Sequence, residues 1–343
     1  MENSEPAMSQ EEIDRRLAEL DDANPEESKQ LVHRRSKYEY PYSPSQSRAL
    51  EFLSGLRTQS EDYATDLELI SASLSSGNEF NIEEADLEPL LARYCHLSIL
   101  EVLLADGLNI NAADSRGYTA LFFAVDANDL PRIELLISHG ANLDVRCGKT
   151  QSTPLNIACD HEKPDALQIL LGAGADINYK DGSGSAALHM AVFNQNARFV
   201  RLLAEAGADI NIAENSGRTA LHMACSLGSP EMVQLLLDLG ADMELRTQEG
   251  VTCFLIAMSS GITMKNGKAV IKLLIENGAD INAVDNSGCN AIFWAVCHDA
   301  LDIARLLMAG GADPHQRVTE TGKNAIDRAR DEGNEAFLKL FDA

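Results

Sequence analysis

The chain has 343 residues, of which 45% are hydrophobic, so it holds enough apolar material for a folded core and is not disordered as a whole. It carries 28 Lys and Arg against 53 Asp and Glu, a formal net charge of −25 at pH 7. Because so acidic a chain repels phosphate groups, its composition argues against nucleic acid and anionic membranes as partners.

The sequence also indicates a compartment. The residues after Met1 lack the basic and apolar regions of a signal peptide, and no run of about 18 apolar residues would span a bilayer. The seven cysteines are an odd number without a Cys-x-x-Cys pair, so they form neither a disulfide framework nor a redox or metal motif. We therefore expect free thiols in a cytoplasmic protein, with the nucleus as a second compartment.

Residues 1–78 show no internal repetition and fall into two parts. Ser9–Glu12 is a capping-box pattern, but proline-containing and acidic stretches follow it. Two stretches rich in Leu, Ile and Phe, 49–56 and 63–74, predict short helices. We expect a flexible acidic tail at 1–46 and a helical N-terminal cap at 47–78. Disorder throughout, or a binding tail, is the alternative.

A periodic pattern begins at about residue 79. An apolar run ends in glycine at intervals of 33, 34, 33, 33, 38 and 33 residues. These glycines are Gly107, Gly140, Gly174, Gly207, Gly240, Gly278 and Gly311. A second series, offset from the first, contains strings such as DSRGYTALFFA and ENSGRTALHMA. So many copies in one phase indicate a repeat architecture.

Each unit predicts a turn and two short helices. A D-x-x-G turn precedes a polar residue of the type that caps a helix N-terminus. These caps are Thr119, Thr153, Thr219, Thr252, Asn290 and Asn324. Ala186 breaks the pattern, which costs its helix about 1 kcal/mol. Because helices under about a dozen residues are marginal alone, we expect the units to stack.

The repeat length and the strings TALHMA and LLAEAGADIN resemble the ankyrin repeat. The resemblance covers about residues 79–343, with seven clear units, a degenerate earlier one, and a polar last unit that suits a C-terminal cap. The clear units start near Asp114, Arg146, Asp181, Glu214, Thr247, Asp285 and Glu320. It implies an all-α solenoid of about eight stacked helix–turn–helix units with projecting β-turns and a short helical N-terminal extension.

We find no pattern that predicts catalysis. His189 and His222 share one repeat position, which favours a structural hydrogen bond between turns, and Cys159 and Cys225 share a small apolar position. The segment 261–269 resembles a phosphate-binding loop but has one residue too many and no hydroxyl for Mg²⁺. We therefore expect no catalytic residue, no cofactor and no metal site, and hence no enzyme.

Two departures from the period are expected in surface loops. One extra residue lies near 147–150, and five lie around 262–266. Loops more often carry function than helices do, so the longer insertion is either neutral drift or a functional element. The single tryptophan, Trp294, occupies a helix position for which we predict core packing.

In ankyrin repeats, partner proteins dock on the concave face formed by turns and first helices. The candidate partner-binding residues are Arg116, Tyr118, Tyr179, Lys180, Phe193, Asn194, Arg218, Leu227, Arg246 and His298. We predict a non-catalytic adaptor, scaffold or inhibitor that binds a protein, and a monomer by itself. The alternative is the substrate-targeting domain of an enzyme whose catalytic site involves residues 1–78.

Overall fold

A computed structural model describes residues 97, 100, 101, 104, 108–114, 116–259, 261–318 and 322–342. The expected tail at 1–46, the expected cap at 47–78 and most of the degenerate first unit lie outside the described residues. The chain divides into two compact units, Met1–Gly148 and Lys149–Ala343.

The described residues of the first unit contain one complete helix pair, α1 (Ala120–Asp126) and α2 (Leu130–Ser138). Thr119 caps α1 by accepting the N–H of Phe122 at 3.4 Å, and Asp129 caps α2 by accepting the N–H of Arg132 at 3.2 Å. The turn before α1 closes as its sequence predicts, since the N–H of Gly117 donates to the carbonyl oxygen of Asp114 at 2.8 Å.

Six further pairs lie in the described part of the second unit, each with a first helix of seven or eight residues and a second of seven to ten. The first helices are α3 (Pro154–Asp160), α5 (Ala187–Phe193), α7 (Ala220–Leu227), α9 (Cys253–Ser259), α11 (Ala291–Cys297) and α13 (Ala325–Asp331). The second helices are α4 (Pro164–Gly172), α6 (Ala197–Glu205), α8 (Pro230–Asp238), α10 (Gly267–Glu276), α12 (Leu301–Ala309) and α14 (Glu335–Phe341).

The core of the second unit lies between the two layers of helices. First helices pack side by side in chain order, and each second helix packs on its own first helix. One residue from each layer illustrates the result: Leu188 of α5 and Leu203 of α6 are at most 1% exposed. Because neither helix is long enough to be stable alone, stacking supplies the burial that keeps them folded.

The helix ends confirm most of the predicted caps. Thr153, Thr252, Asn290 and Asn324 each accept a backbone N–H of the first helical turn, at 2.8–3.4 Å. Thr219 is the exception, because its hydroxyl hydrogen-bonds the Nδ1 of His222 at 2.8 Å.

The predicted gap at Ala186 is confirmed: helix α5 has no side-chain cap. Of the two hydrogen bonds of a capping box, this repeat keeps only the one from the backbone N–H of the N-cap residue to the side chain three residues later. The N–H of Ala186 donates to the Nδ1 of His189 at 3.1 Å.

Hydrogen bonds at regular intervals along the chain join successive repeats, in the segments that follow the second helices. The amide oxygen of Asn178 accepts the N–H of Asp209 at 2.8 Å, and that of Asn211 accepts the N–H of Asp242, also at 2.8 Å. Each bond spans 31 residues, so the asparagine of the GADIN string fixes the register between one repeat and the next.

The five-residue insertion forms a 3₁₀ turn, Gly261–Thr263, that continues to the start of α10. This turn packs on α7, α9 and α10. Met264 lies against Gly228 at the end of α7, where an added Cβ would lie 2.5 Å from the Met264 Cβ. The insertion therefore lies over the loop of the preceding repeat.

Candidate protein-binding surface

The fourth position of each first helix forms a row across the second unit. In α3 to α11 this position holds Ile157, Met190, Met223, Ile256 and Trp294. Ile157 is buried at 9% exposure and the other four are half-buried. Because residues three and four positions further along lie on the same side of a helix, the seventh and eighth positions extend this row. We call these three positions the first-helix face.

Phe193 is the most exposed large apolar side chain of the described residues, at 60%. It occupies the seventh position of α5, one turn from Met190. Leu227 occupies the eighth position of α7, one turn from Met223, and is half-buried. An apolar surface thus continues from α5 to α7, as expected for Phe193 and Leu227, whereas Met190 and Met223 were not singled out from the sequence.

Trp294 is half-buried, so the predicted core packing is wrong. Its indole stacks on the imidazole of His298, with ring centroids 6.0 Å apart and planes 23° apart. His298 ends α11 and its buried Nε2 has no hydrogen-bond partner among the described residues. Trp294 occupies the fourth position of α11. Because this position belongs to the first-helix face, part of the indole remains exposed to solvent.

The turns of the second unit form a ladder of side-chain amides. Asn215 donates to the carbonyl oxygen of Gly182 at 3.2 Å, Gln248 to that of Asn215 at 2.6 Å, and Asn286 to that of Gln248 at 3.0 Å. Backbone N–H groups of the same three residues also donate to the preceding turn, at 2.9–3.2 Å. The turns therefore form a joined edge beside the first-helix face.

Two positively charged residues among the candidate partner-binding residues form hydrogen bonds within this edge. The Nζ of Lys180 donates to the carbonyl oxygen of Ala213 at 2.6 Å. The Nη1 of Arg246 donates to the carbonyl oxygens of Val284 at 2.7 Å and Gly250 at 3.0 Å. Both side chains tie one turn to the next, so a structural role accompanies any role in binding.

The other candidates of the second unit are less exposed than Phe193. Asn194 donates through Nδ2 to the carbonyl oxygen of Asp160 at 2.8 Å, which joins α5 to α3. Tyr179 and Arg218 are both half-buried. The buried Nε of Arg218 has no hydrogen-bond partner in the described part of the chain. Asn194 directly follows α5 at the eighth position of the first-helix face, whereas Tyr179 and Arg218 lie in the chain segments before α5 and α7.

In the first unit, the candidates Arg116 and Tyr118 form a small packed cluster. Arg116 bonds Asp114 at 3.1 Å, and its guanidinium carbon lies 5.3 Å from the centroid of the Tyr118 ring. Tyr118 in turn lies 4.6 Å from Phe122, measured between ring centroids. Both candidates are half-buried, and part of each side chain is used in this cluster.

The repeated histidines and cysteines are buried. The Nε2 of His222 bonds the carbonyl oxygen of Val251 in the next turn at 3.2 Å, which confirms the predicted bond between turns for that residue. At His189 the Nδ1 accepts the N–H of Ala186 in the same repeat at 3.1 Å, and the bond between turns stays a prediction there. Burial lowers the pKa of both His189 and His222, and burial raises the pKa of the Cys159 and Cys225 thiols. The thiols are therefore protonated near neutral pH and act as small apolar side chains.

Metal-ligand geometry is absent from the described residues: no group of three or more His, Cys, Asp or Glu side chains could hold an ion. Within the same residues, no helix has both the length and the hydropathy needed to cross a bilayer.

Stacked pairs of short helices, joined by β-turns and linked through repeated asparagines, define a helical repeat protein. A family model described as "Ankyrin repeats (3 copies)" matches residues 90–181, 163–247, 239–318 and 258–341. The chain belongs to the ankyrin repeat family.

Known relatives support the family and leave the whole protein's activity open. Ankyrin repeat and SOCS box protein 6 of Mus musculus is 42% identical over 93 residues, 26% of this chain and 22% of that protein. An L-asparaginase of Dirofilaria immitis is 29% identical over 134 residues, 38% of this chain and 22% of that protein. The matches thus span about a fifth of the length of these relatives.

A solved structure has the same architecture. The ankyrin repeat domain of Bcl-3, described as a member of the IkappaB protein family, aligns with a TM-score of 0.59 and 27% identity. The alignment covers 67% of this chain and 100% of that domain. The fold is therefore an all-α ankyrin array, and ankyrin arrays are generally protein-binding modules.

Proposed function

We propose that this chain is a non-catalytic adaptor, scaffold or inhibitor that binds a protein partner on the first-helix face and the adjoining turns of the second unit. The observation that carries the proposal is the surface from Met190 and Phe193 to Met223 and Leu227. A folded domain stabilises itself by burying such side chains, so a row that remains accessible favours burial against a partner.

The position of this surface supports the proposal. The amide ladder and the cations Lys180 and Arg246 hold the turns beside it, so the surface is fixed by the scaffold before a partner arrives. Preorganised surfaces bind with less loss of conformational entropy. Phe193, as an exposed aromatic residue, is of the type that supplies most of the binding energy in interfaces.

A matched pair of triple variants tests the proposal. The first triple variant, Tyr179→Ala, Phe193→Ala and Arg218→Ala, removes the exposed aromatic side chain of α5 and one side chain each from the segments before α5 and α7. Gln168→Ala, Arg201→Ala and Arg305→Ala remove exposed side chains at equivalent positions of three second helices. Partners are captured by crosslinking from the native cell type and identified by mass spectrometry, and circular dichroism reports folding.

We expect the first triple variant, folded by circular dichroism, to lose the captured partner and the second to keep it. Phe193→Ala alone provides the same test at a site where misfolding is not expected, because the side chain is 60% exposed. Equal capture by both triple variants would show that the first-helix face is not the binding surface.

A further inference from the structure

A carboxylate lies beside the apolar part of the first-helix face. Asp160 occupies the seventh position of α3, as Phe193 does in α5, and its side chain is 46% exposed. Because α3 and α5 pack side by side, joined by the bond from Asn194 to the carbonyl oxygen of Asp160, the two residues are neighbours in one row of the face. The Oδ2 of Asp160 lies 3.7 Å from the Nε2 of His161, which is charged only when protonated. Negative charge therefore adjoins the most exposed large apolar side chain of the described residues.

A second carboxylate is held at the same end. Glu162 lies exposed in the loop after α3, and its Oε1 accepts a hydrogen bond from the Nδ2 of Asn196 at 3.0 Å. Asn196 lies in the loop after α5, so this bond directs the carboxylate toward the next repeat. The equivalent left-handed loop residues of the next two repeats, Gln195 and Gly228, are uncharged. The charge at this position is thus confined to the α3 side, and we call Asp160 and Glu162 the acidic end.

The cations closest in sequence belong to the second helices. Lys163 is the half-buried N-cap residue of α4, and Arg198 occupies the second position of α6. In α10 and α12 that second position holds Lys268 and Asp302, which pair at 3.0 Å, so it forms a row along the second helices. Within the described part of the chain, neither Lys163 nor Arg198 forms an ion pair with the acidic end. The acidic end therefore keeps its charge for a partner.

The apolar part of the face begins at the acidic end and runs away from it. Phe193 of α5 is 60% exposed, Leu227 of α7 is half-buried, and Met264 of the insertion is 43% exposed. Met264 lies against Gly228, the residue after Leu227, and so extends the apolar surface. The exposed cation Lys265 follows Met264 and belongs to the repeat after α7, at the end of the surface away from α3. The negative charge and this positive charge thus lie at opposite ends.

The geometry points to a basic segment of a partner protein as the occupant of this surface, with its cations on the acidic end and its apolar side chains on Phe193, Leu227 and Met264. This inference rests on the proposed function and names the chemistry of the partner. Opposite charges across an interface speed association and disfavour partners of the wrong charge. The chain's formal net charge of −25 adds a long-range attraction for the same partner.

The arrangement sets the order of residues in the segment. Packed helices are about 8–10 Å apart, and α3, α5 and α7 follow one another, so the acidic end and Leu227 are about two such distances apart. An extended segment rises about 3.3 Å per residue, so about six residues span the surface. The cations of the segment must therefore be grouped at one end and its apolar residues at the other, rather than alternate.

Three kinds of synthetic peptide of about eight residues, slightly longer than this span, test the inference on the full chain. The first, made in both chain directions, groups lysine and arginine at one end and leucine and phenylalanine at the other. The second replaces each cation of the first by glutamate. The third has the composition of the first, with cations and apolar residues alternating. Fluorescence anisotropy at about pH 7.5, where histidine is ordinarily neutral, gives the Kd of each peptide at low and moderate salt.

We expect the grouped basic peptide, in one chain direction, to bind about tenfold more tightly than the acidic and alternating peptides, and to weaken as salt is raised. Asp160→Asn with Glu162→Gln weakens its binding about tenfold at low salt. Glu205→Gln with Glu276→Gln, which changes net charge equally at the exposed ends of α6 and α10, leaves it unchanged. Phe193→Ser also weakens binding, whereas Phe193→Leu retains it.

Charge reversal provides a second measurement. Asp160→Lys with Glu162→Lys makes the acidic end basic, so the grouped acidic peptide should then bind more tightly than the grouped basic one. Both positions are exposed, so misfolding is not expected, and circular dichroism verifies the fold.

Equal affinity for the acidic or the alternating peptide would overturn the inference, as would equal loss in the two neutralised pairs or an unchanged preference after charge reversal. Failure here is distinguishable from failure of the proposed function. If capture of the cellular partner is lost in Phe193→Ala but kept in Asp160→Asn with Glu162→Gln, the binding surface stands and the partner chemistry is wrong. If the basic peptide binds as expected but partner capture is unaffected by the triple variant, the proposed function is wrong.

Discussion

The carboxylate of Glu244 accepts a hydrogen bond from the backbone N–H of Asp280 at 3.1 Å. Elsewhere in the second unit an asparagine makes this bond over 31 residues, as Asn282 does to Asp313 at 3.0 Å. Here the five-residue insertion lengthens the span to 36 residues, and glutamate replaces asparagine. The inter-repeat bond is therefore kept across the insertion, and the extra residues are accommodated in the loop between α9 and α10.

The first prediction concerns this bond. Glu244→Ala removes the acceptor, so we expect the free energy of unfolding to fall by about 0.5–1.5 kcal/mol in urea denaturation. Glu244→Gln keeps an oxygen acceptor and should retain most of the stability. Asn211→Ala, which removes the equivalent bond to Asp242, is the matched control. A neutral Glu244→Ala beside a destabilising Asn211→Ala would contradict this role.

The missing helix cap gives a second prediction. Ala186 has φ −100° and ψ 171°, close to the −95° and 170° of Thr219 at the same position. Threonine therefore fits the backbone at 186, and its hydroxyl would hydrogen-bond the Nδ1 of His189 as that of Thr219 does the Nδ1 of His222. We expect Ala186→Thr to stabilise the chain by about 1 kcal/mol. An unchanged or lowered urea midpoint would show that the buried methyl or hydroxyl group is not accommodated.

The third prediction distinguishes two reasons why replacing a glycine destabilises the chain, the left-handed backbone conformation and the steric overlap of an added Cβ. Gly174 and Gly184 have nearly equal φ values, +87° and +85°, but an added Cβ meets nothing at Gly174 and collides with Asn215 at Gly184. Gly174→Ala should cost about 1–2 kcal/mol for the left-handed backbone alone. Gly184→Ala should cost more, because it also displaces the amide ladder. Thermal unfolding of the two variants gives the comparison, and equal losses would contradict the steric argument.

The buried histidines predict a pH dependence of stability. Burial lowers the pKa of His189 and His222 below the ordinary value of 6.5. The unfolded chain therefore binds protons that the folded chain does not, so stability is full above pH 6.5 and falls as the pH drops below it.

Urea midpoints at pH 7.5 and 5.5, either side of the ordinary histidine pKa of about 6.5, measure this effect. His189→Asn with His222→Asn should reduce the difference, since asparagine already occupies this repeat position at Asn156. An unaltered pH dependence in the double variant would place its origin in other groups.

The sequence predicted the fold well because its strongest signals are local. A glycine of positive φ, such as Gly174 or Gly217, and a capping residue, such as Asn290, act within a few residues of chain, and their recurrence showed the stacking. The site was harder to predict. A repeat position gives the direction of a side chain, but its exposure depends on the size of its neighbours in adjacent repeats.

Two residues show this limit. Trp294 shares its helix position with Met190, and its larger ring remains half-buried beside His298 where core packing was predicted. Met264 lies in an insertion without a repeat position, so its contact with Gly228 was not predictable from the period. The polar residues Lys180 and Arg246 are predicted from the sequence to bind a partner, whereas their bonds to Ala213 and Val284 depend on the stacking of turns.

The proposed function requires that a partner protein bind the first-helix face of the second unit. The most direct measurement is photo-crosslinking in the native cell type, with benzoylphenylalanine at position 193 in one variant and at position 305, on the exposed side of α12, in another. We expect a crosslinked protein from position 193 that is absent from position 305. The same crosslinked proteins at both positions, or crosslinks from position 305 alone, would contradict it.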